Sequence, residues 1–264
     1  MRLIKGFLVF IHILLGLALL VITGALWRPL SPQVKTTKRW WLGRILKLMA
    51  VDTEVCGELP QHSSGKGRIY VSNHVSWLDI PLIGSLRELN FLSKAEVKRW
   101  PLIGKLAEST GTLFIQRGSG DSEKIKKDIS QRIEQGHSVL FFPEGTTTDG
   151  SSLRKFHYKL FQVNQHIDVE FCPVVIHYEV DGEYFNPVAF IDDDEFAEHL
   201  WHLLGFAHIR ARVEFLPARK LSVSNLRADV LRLEEEMRRK VELRSGRIRQ
   251  PAAASPEKPA AASA

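Results

Sequence analysis

The chain has 264 residues, enough for one α/β domain with a buried core and appendages. Its 36 Lys and Arg against 30 Asp and Glu leave a net charge of +6, which suits an acidic partner: anionic lipid headgroups, a phosphorylated substrate, an acidic carrier protein or nucleic acid. The two cysteines, Cys56 and Cys172, have neither metal-ligand nor redox spacing and read most simply as reduced, partly buried thiols in a cytosol-facing domain, with a bridge between them left open.

Residues 7–27 form an apolar run broken only by His12, Thr23 and glycines, long enough to cross a bilayer. Trp27-Arg28 closes it as an aromatic and basic anchor, favouring a retained segment over a cleaved signal peptide. Arg28, Lys35, Lys38 and Arg39 make the following flank the more basic one, which predicts the main domain on the cytoplasmic face of a membrane, by analogy with a bacterial inner membrane. Length alone leaves open whether the segment spans or enters one leaflet. Residues 37–50 place Trp41, Ile45, Leu48 and Met49 on one helical stripe among Lys38, Arg39, Arg44 and Lys47, the pattern of an interfacial amphipathic helix. An ordinary surface helix is the competing reading. Residues 1–50 are therefore expected to be a membrane anchor plus an interfacial helix.

From about Gly65 strands and helices alternate. Strands are predicted at 68–72, 91–93, 111–116, 139–142, 171–178 and 209–215. Helices are predicted from Pro81, from Asp121 or Ser122 to Gly136, from residue 192 through Leu204, and from Ser222 or Ser224 to about Arg244. Alternation of this kind predicts an α/β fold with a mostly parallel sheet flanked by helices, over residues 51–245. The Ala, Pro and Ser-rich tail, 246–264, is expected to be disordered.

One stretch carries the chemistry: Ser72-Asn73-His74-Val75-Ser76-Trp77-Leu78-Asp79. A histidine oriented by a carboxylate deprotonates an alcohol near neutral pH. On a continuous helix, residues five apart diverge by roughly 140°, so a His74–Asp79 contact requires a turn. Asp79-Ile80-Pro81 also reads as a helix start, so on these residues Asp79 is open to being a mere cap. Two further strand ends finish in polar or glycine-rich turns, at Arg117-Gly118 and at Glu144-Gly145-Thr146. In α/β sheets ligands bind outside the carboxyl ends of strands, so a shared cleft is expected. Arg117 offers a fork for phosphate or carboxylate, and the Gly145 turn offers backbone N–H groups to an anion.

Asn73-His74 with Asp79, the run Gly111-Thr112-Leu113-Phe114-Ile115-Gln116-Arg117, then Phe142-Pro143-Glu144-Gly145-Thr146 and Cys172-Pro173-Val174-Val175 stand in order. This series resembles the four blocks of the glycerophospholipid acyltransferase family, and the segment 93–104 resembles the link between its first two. The resemblance covers roughly residues 65–180 and implies an α/β domain behind a two-helix membrane motif. It also implies transfer of an acyl group from acyl-CoA or acyl-acyl carrier protein to the free hydroxyl of a lysolipid, foremost 1-acyl-sn-glycerol-3-phosphate, giving phosphatidic acid. By the same resemblance His74 is the base and Asp79 its orienting partner, while Arg117, Gly111, Glu144, Gly145 and Thr146 hold the acceptor. No metal and no cofactor is implied, membrane lipids are the partners, and nucleic acid is not. Thr147 stands where that family commonly has arginine, and the third block looks closer to lyso-ornithine lipid acyltransferases, which keeps that acceptor as the alternative. Arg154 or Lys155 is then a substitute cation.

Other chemistries are weaker. Gly136-His137-Ser138-Val139-Leu140 lacks the second glycine of a nucleophile elbow and precedes a strand. His199 and His202 offer H-x-x-H without a third ligand.

Overall fold

The computed structural model describes residues 2–60, 65–116, 122–181, 183, 186–191 and 194–246. Arg117, the residues at 192–193 and the tail beyond Gly246 lie outside the described residues.

Two helices come first, α1 (Arg2–Ile22) and α2 (Pro32–Leu48). Ser31 caps α2 by accepting from the Val34 amide, and Pro32 fits a first turn where no N–H is needed. The strands β1 (Val51–Gly57), β2 (Ile69–Ser72), β3 (Leu89–Lys94), β4 (Leu113–Ile115), β5 (Ser138–Phe141), β6 (Glu170–Glu179), β7 (Ile209–Phe215) and the two-residue β8 (Arg219–Lys220) form one sheet. Its order is β1-β7-β6-β2-β5-β3-β4, with β8 paired to β6. All pairings are parallel except β6–β7 and β6–β8. β2 and β5 are buried on both faces, which is why they read as unbroken apolar runs.

Between the strands lie α3 (Asp79–Leu86), α4 (Ile103–Ser109), α5 (Ser122–Glu134), α6 (Phe196–Leu203) and α7 (Leu226–Arg244). Side chains on one face of the sheet, including Tyr70, Cys172 and Ile176, pack with α2, α3 and α6. The other face, including Val71, Val139 and Phe171, packs with Ile125, Ile129 and Ile133 of α5 and Leu233 and Met237 of α7. The four-residue recurrence in α5 is thus its core stripe.

β1, α4 and β8 were absent from the expected elements. The predicted helix near 192–204 begins at Phe196 instead.

α1 is the one helix among the described residues long and apolar enough to cross a membrane. It nevertheless lies against the domain at both ends. Near its start the Arg2 guanidinium sits over the Trp201 ring at 5.7 Å, and Lys5 donates to the Phe206 carbonyl at 2.7 Å. Beyond its other end, Leu20 and Ala25 cluster with Val34 of α2 and Leu106 of α4. One face, Val9, His12, Gly16 and Leu20, turns inward, while Phe7, Phe10, Ile11, Leu14 and Ile22 are exposed.

The amphipathic stripe expected of α2 has a different orientation. Ile45 and Met49 are buried in the core, and the Trp41 indole lies against α1 at Gly16. Ile45 and Met49 thereby cover one face of the sheet. Lys38 also turns inward, donating to the carbonyls of Leu89 at 2.7 Å and Thr110 at 3.0 Å. Enclosure there, with help from the charges of Lys35 and Arg132, lowers its pKa to about 8.

Candidate active site

β2 ends at Ser72, and the next side chain continues its ladder. Asn73 donates through Nδ2 to the Ile176 carbonyl at 2.9 Å and accepts from the Ile176 amide at 2.7 Å. The backbone is thereby free to leave the sheet at the residue before His74. The turn that follows closes on one carboxylate. Asp79 Oδ2 faces His74 Nδ1 at 2.7 Å and accepts from the amides of Val75 at 2.8 Å and Ser76 at 3.0 Å. Its other oxygen accepts from the Tyr178 hydroxyl at 2.8 Å.

Asp79 therefore occupies the first position of α3 and orients His74 as well, so the two readings of it are compatible. Its carboxylate is fully buried. The Val75 and Ser76 amides and the Tyr178 hydroxyl together make it an acceptor at both oxygens, which matches the His74 tautomer with its proton on Nδ1. Burial and the Asp79 charge push the Tyr178 phenol well above its ordinary pKa, so it stays a donor.

The His74 ring lies flat on Phe142, with centroids 3.8 Å apart and planes 8° apart. Stacking and the Nδ1 bond together fix the ring, leaving Nε2 on the edge opposite Asp79. His74 lines a cleft of about 1450 Å³. That exceeds the roughly 300–1,000 Å³ usual for small-molecule pockets. Val9, Ile13 and Leu20 of α1 form part of its wall, together with Trp41, Phe91 and Trp100. A base at one edge of a long apolar cleft suits a hydroxyl carried on a lipid chain.

The other expected site residues fall into three groups. Gly145 and Thr146 line the cleft, as does Thr147, and Gly145 takes a φ of 69° that suits glycine in the turn. Glu144 does not line the cleft. It is buried, and it accepts from the His74 amide at 2.9 Å and from the Arg154 amide at 2.7 Å, so it holds the backbone of the His74 turn. Burial pushes its pKa up to about 7 against the pull of those two amides, with the Asp79 charge adding to the rise. Gly111 serves the α4–β4 turn at φ 86°, packed so closely against Asn90 and Leu30 that a Cβ has no room. Its neighbours Thr110 and Thr112 line the cleft.

His199 is engaged otherwise than as a metal ligand. Its Nδ1 accepts from the Trp77 indole at 3.0 Å and its Nε2 meets the Ala189 carbonyl at 3.0 Å, which locks α6 to the His74 turn. Among the described residues no group of three potential metal ligands is assembled. Sequence reasoning missed Tyr178. Its only signal was position, at the end of the predicted 171–178 strand, which neighbours β2.

An imidazole–carboxylate pair thus stands at the end of a central parallel strand, opening into an apolar cleft walled in part by α1 and α2, an arrangement that suits proton removal from a lipid-borne alcohol. Comparison with known proteins narrows that chemistry. The acyltransferase family model matches residues 54–177. The lyso-ornithine lipid O-acyltransferase of Pseudomonas aeruginosa is 44% identical over 200 residues, covering 74% of this chain and 76% of that protein. The 1-acyl-sn-glycerol-3-phosphate acyltransferase of Neisseria meningitidis is 32% identical over 178 residues, covering 66% of this chain and 69% of that one. The crystal structure of the 1-acyl-sn-glycerophosphate acyltransferase PlsC from Thermotoga maritima shares the fold, with a TM-score of 0.61 at 20% identity over 92% of this chain and 97% of that one. The chain belongs to the acyltransferase family, and it is an acyl-transferring enzyme of lipid biosynthesis.

Proposed function

We propose that the chain is a lysolipid O-acyltransferase in which His74 is the general base. The observation that carries this reading is the His74–Asp79 contact, made at the wall of an apolar cleft. His74 Nε2 takes the proton of the acceptor hydroxyl as its oxygen attacks the carbonyl carbon of an acyl thioester, from acyl-CoA or acyl-acyl carrier protein. Asp79 stabilises the imidazolium so formed. The tetrahedral intermediate collapses with loss of the thiolate, which receives that proton from His74. A thioester is already activated, so the chain's own residues need only move one proton and align two chains.

The acceptor we favour is a lyso-ornithine lipid. Thr147 places a neutral side chain at the cleft beside Gly145, and a relative named for that acceptor matches at 44% identity. The second reading, 1-acyl-sn-glycerol-3-phosphate, is supported by lysines lining the same cleft and by the Neisseria relative. Purified protein offered both acceptors with one thioester decides between them. Faster transfer to lysophosphatidic acid reverses the preference; no transfer to either acceptor, with either acyl-CoA or acyl-acyl carrier protein, sinks the reading.

The catalytic domain is proposed to sit on the cytoplasmic face, where thioester donors are made. α1 is proposed to enter one leaflet sideways, because both its ends touch the domain. Single cysteines placed at exposed Leu3 and Ile22 are then labelled only from the face that holds the domain. Labelling of the two from opposite faces would show a spanning helix.

A further inference from the structure

The cleft has an uneven charge balance. The Lys and Glu side chains on its wall are Lys38, Lys94, Lys155, Lys159 and a single acid, Glu96. Lys38 is committed to two backbone carbonyls. Lys155, His157 and Lys159 are exposed, alternate along the chain, and all line the cleft. Arg154 does not line it. No described ion pair engages these three, whereas the cations of α7 are mostly paired with neighbouring carboxylates.

The backbone under them is fixed at successive residues. The Arg154 amide is bonded to Glu144 Oε2, and Glu144 Oε1 holds the His74 amide, so a single carboxylate joins this segment to the catalytic turn. The Phe156 amide donates to Glu234 at 2.9 Å while its ring is buried, and the His157 amide donates to the Pro143 carbonyl at 2.8 Å. Phe156 is buried between exposed Lys155 and His157, and Lys159 follows exposed in the short 3-10 helix Tyr158–Gln165. Two lysines and a histidine are therefore presented together on the wall that His74 also lines, with no carboxylate among the described residues paired to them. A preorganised cationic ledge of this kind raises the local concentration of an anionic ligand and holds it at small entropic cost.

We propose that Lys155, His157 and Lys159 form a phosphate-binding ledge that holds a phosphate-bearing substrate while its reacting atoms lie at His74. The inference rests on the acyl-transfer reading for its catalytic consequence, and the shared chemistry is a phosphate carried either by the thioester donor or by the acceptor headgroup. Among the described lining residues Glu96 is the single acid.

The test is a Lys155→Gln/Lys159→Gln double variant, with His157→Asn added in a second protein. These side chains are exposed, so thermal stability is expected to match the parent protein. With acyl-CoA as donor, KM is measured for the donor using a lyso-ornithine lipid acceptor, which has no phosphate, and then for lysophosphatidic acid. A rise of about tenfold in donor KM with kcat unchanged, shrinking as salt is raised, assigns the ledge to the donor. A rise confined to lysophosphatidic acid assigns it to the headgroup. Unchanged KM values in both arms overturn the proposal. Direct binding of desulfo-CoA and of glycerol 3-phosphate to parent and variant, followed by calorimetry, separates this outcome from failure of the acyl-transfer reading. If the parent transfers no acyl group yet binds either probe and the variant binds about tenfold more weakly, the ledge stands. Equal binding by parent and variant, or none by the parent, removes it.

Discussion

The helical hairpin and the turn after β2 are each organised around a histidine lying flat on an aromatic ring. His12 of α1 stacks on Trp41 with centroids 5.0 Å apart and planes 8° apart, and His74 stacks on Phe142 at 3.8 Å and the same angle. The difference is what each ring nitrogen meets. His12 Nε2 faces the Trp41 carbonyl at 3.0 Å, and the Trp41 indole returns a bond to the His12 carbonyl at 2.9 Å. His74 Nδ1 faces a buried carboxylate, and its other nitrogen is left toward the cleft. Stacking orients a ring in both places. A neutral partner makes a latch between helices, whereas an anionic partner makes a ring that can hold a second proton.

Removing each histidine gives the largest contrast. His74→Ala is expected to lower turnover by about 10²–10⁴ with the melting temperature kept. His12→Ala is expected to keep turnover per folded molecule and to cost about 1–2 kcal/mol of stability, read by denaturant unfolding. Equal losses of turnover in the two variants would erase the distinction.

Next in size is Asp79→Asn. An amide accepts through one oxygen only, so either both backbone amides, which share Oδ2, or the Tyr178 hydroxyl on Oδ1 is left facing an N–H. Turnover is expected to fall to within roughly an order of magnitude of His74→Ala, because the imidazole loses both its orienting acceptor and its counter-charge. Stability should fall by about 1–3 kcal/mol for each donor left unpartnered. Wild-type turnover in this variant would show that the carboxylate serves only the fold.

Tyr178→Phe sharpens the same contrast, since it touches the histidine only through Asp79. About a tenfold loss in kcat is expected, with the acid limb of the kcat/KM profile moving to higher pH. The sign follows from losing a donor: a less satisfied carboxylate holds the imidazolium more tightly. A profile that keeps its position while activity drops would reduce Tyr178 to packing.

The smallest effect is expected at Glu144 and concerns stability. A carboxyl raised in the fold to about 7 from an ordinary 4.5 binds its proton more tightly when folded. Its contribution is fully present below pH 4.5 and is lost as the pH rises through 7. Wild-type stability should therefore fall by about 1 kcal/mol relative to Glu144→Gln between pH 6 and pH 8. Parallel curves for the two proteins would show that Glu144 is not proton-linked.

Much of this was legible in the sequence because parallel strands are apolar throughout and end in turns with distinctive residues. β2 with Asn73-His74 and β5 with Glu144-Gly145 are of this kind. β1 escaped because it is an edge strand in which polar and apolar residues mix, Val51 to Gly57, directly after a helix. The inward turns of Lys38 and Glu144 were hidden for another reason. Their partners, Thr110 for Lys38 and Arg154 with His74 for Glu144, are chosen by chain crossings that local pattern does not encode. Tyr178 is 99 residues from the carboxylate it meets, and no periodicity links them.

The Asn73 side chain has a consequence for strand alignment. It supplies both a donor and an acceptor to Ile176, as a backbone unit of β2 would. A slip of β2 by one residue against β6 would bring Ser72 or His74 to that rung, and neither a single hydroxyl nor a neutral imidazole matches the spacing of an amide. The same slip would turn Tyr70 and Val71 to the wrong faces of the sheet. Asn73 is therefore a register mark. It costs the strand nothing, and it makes the address of the neighbouring histidine a property of the whole sheet.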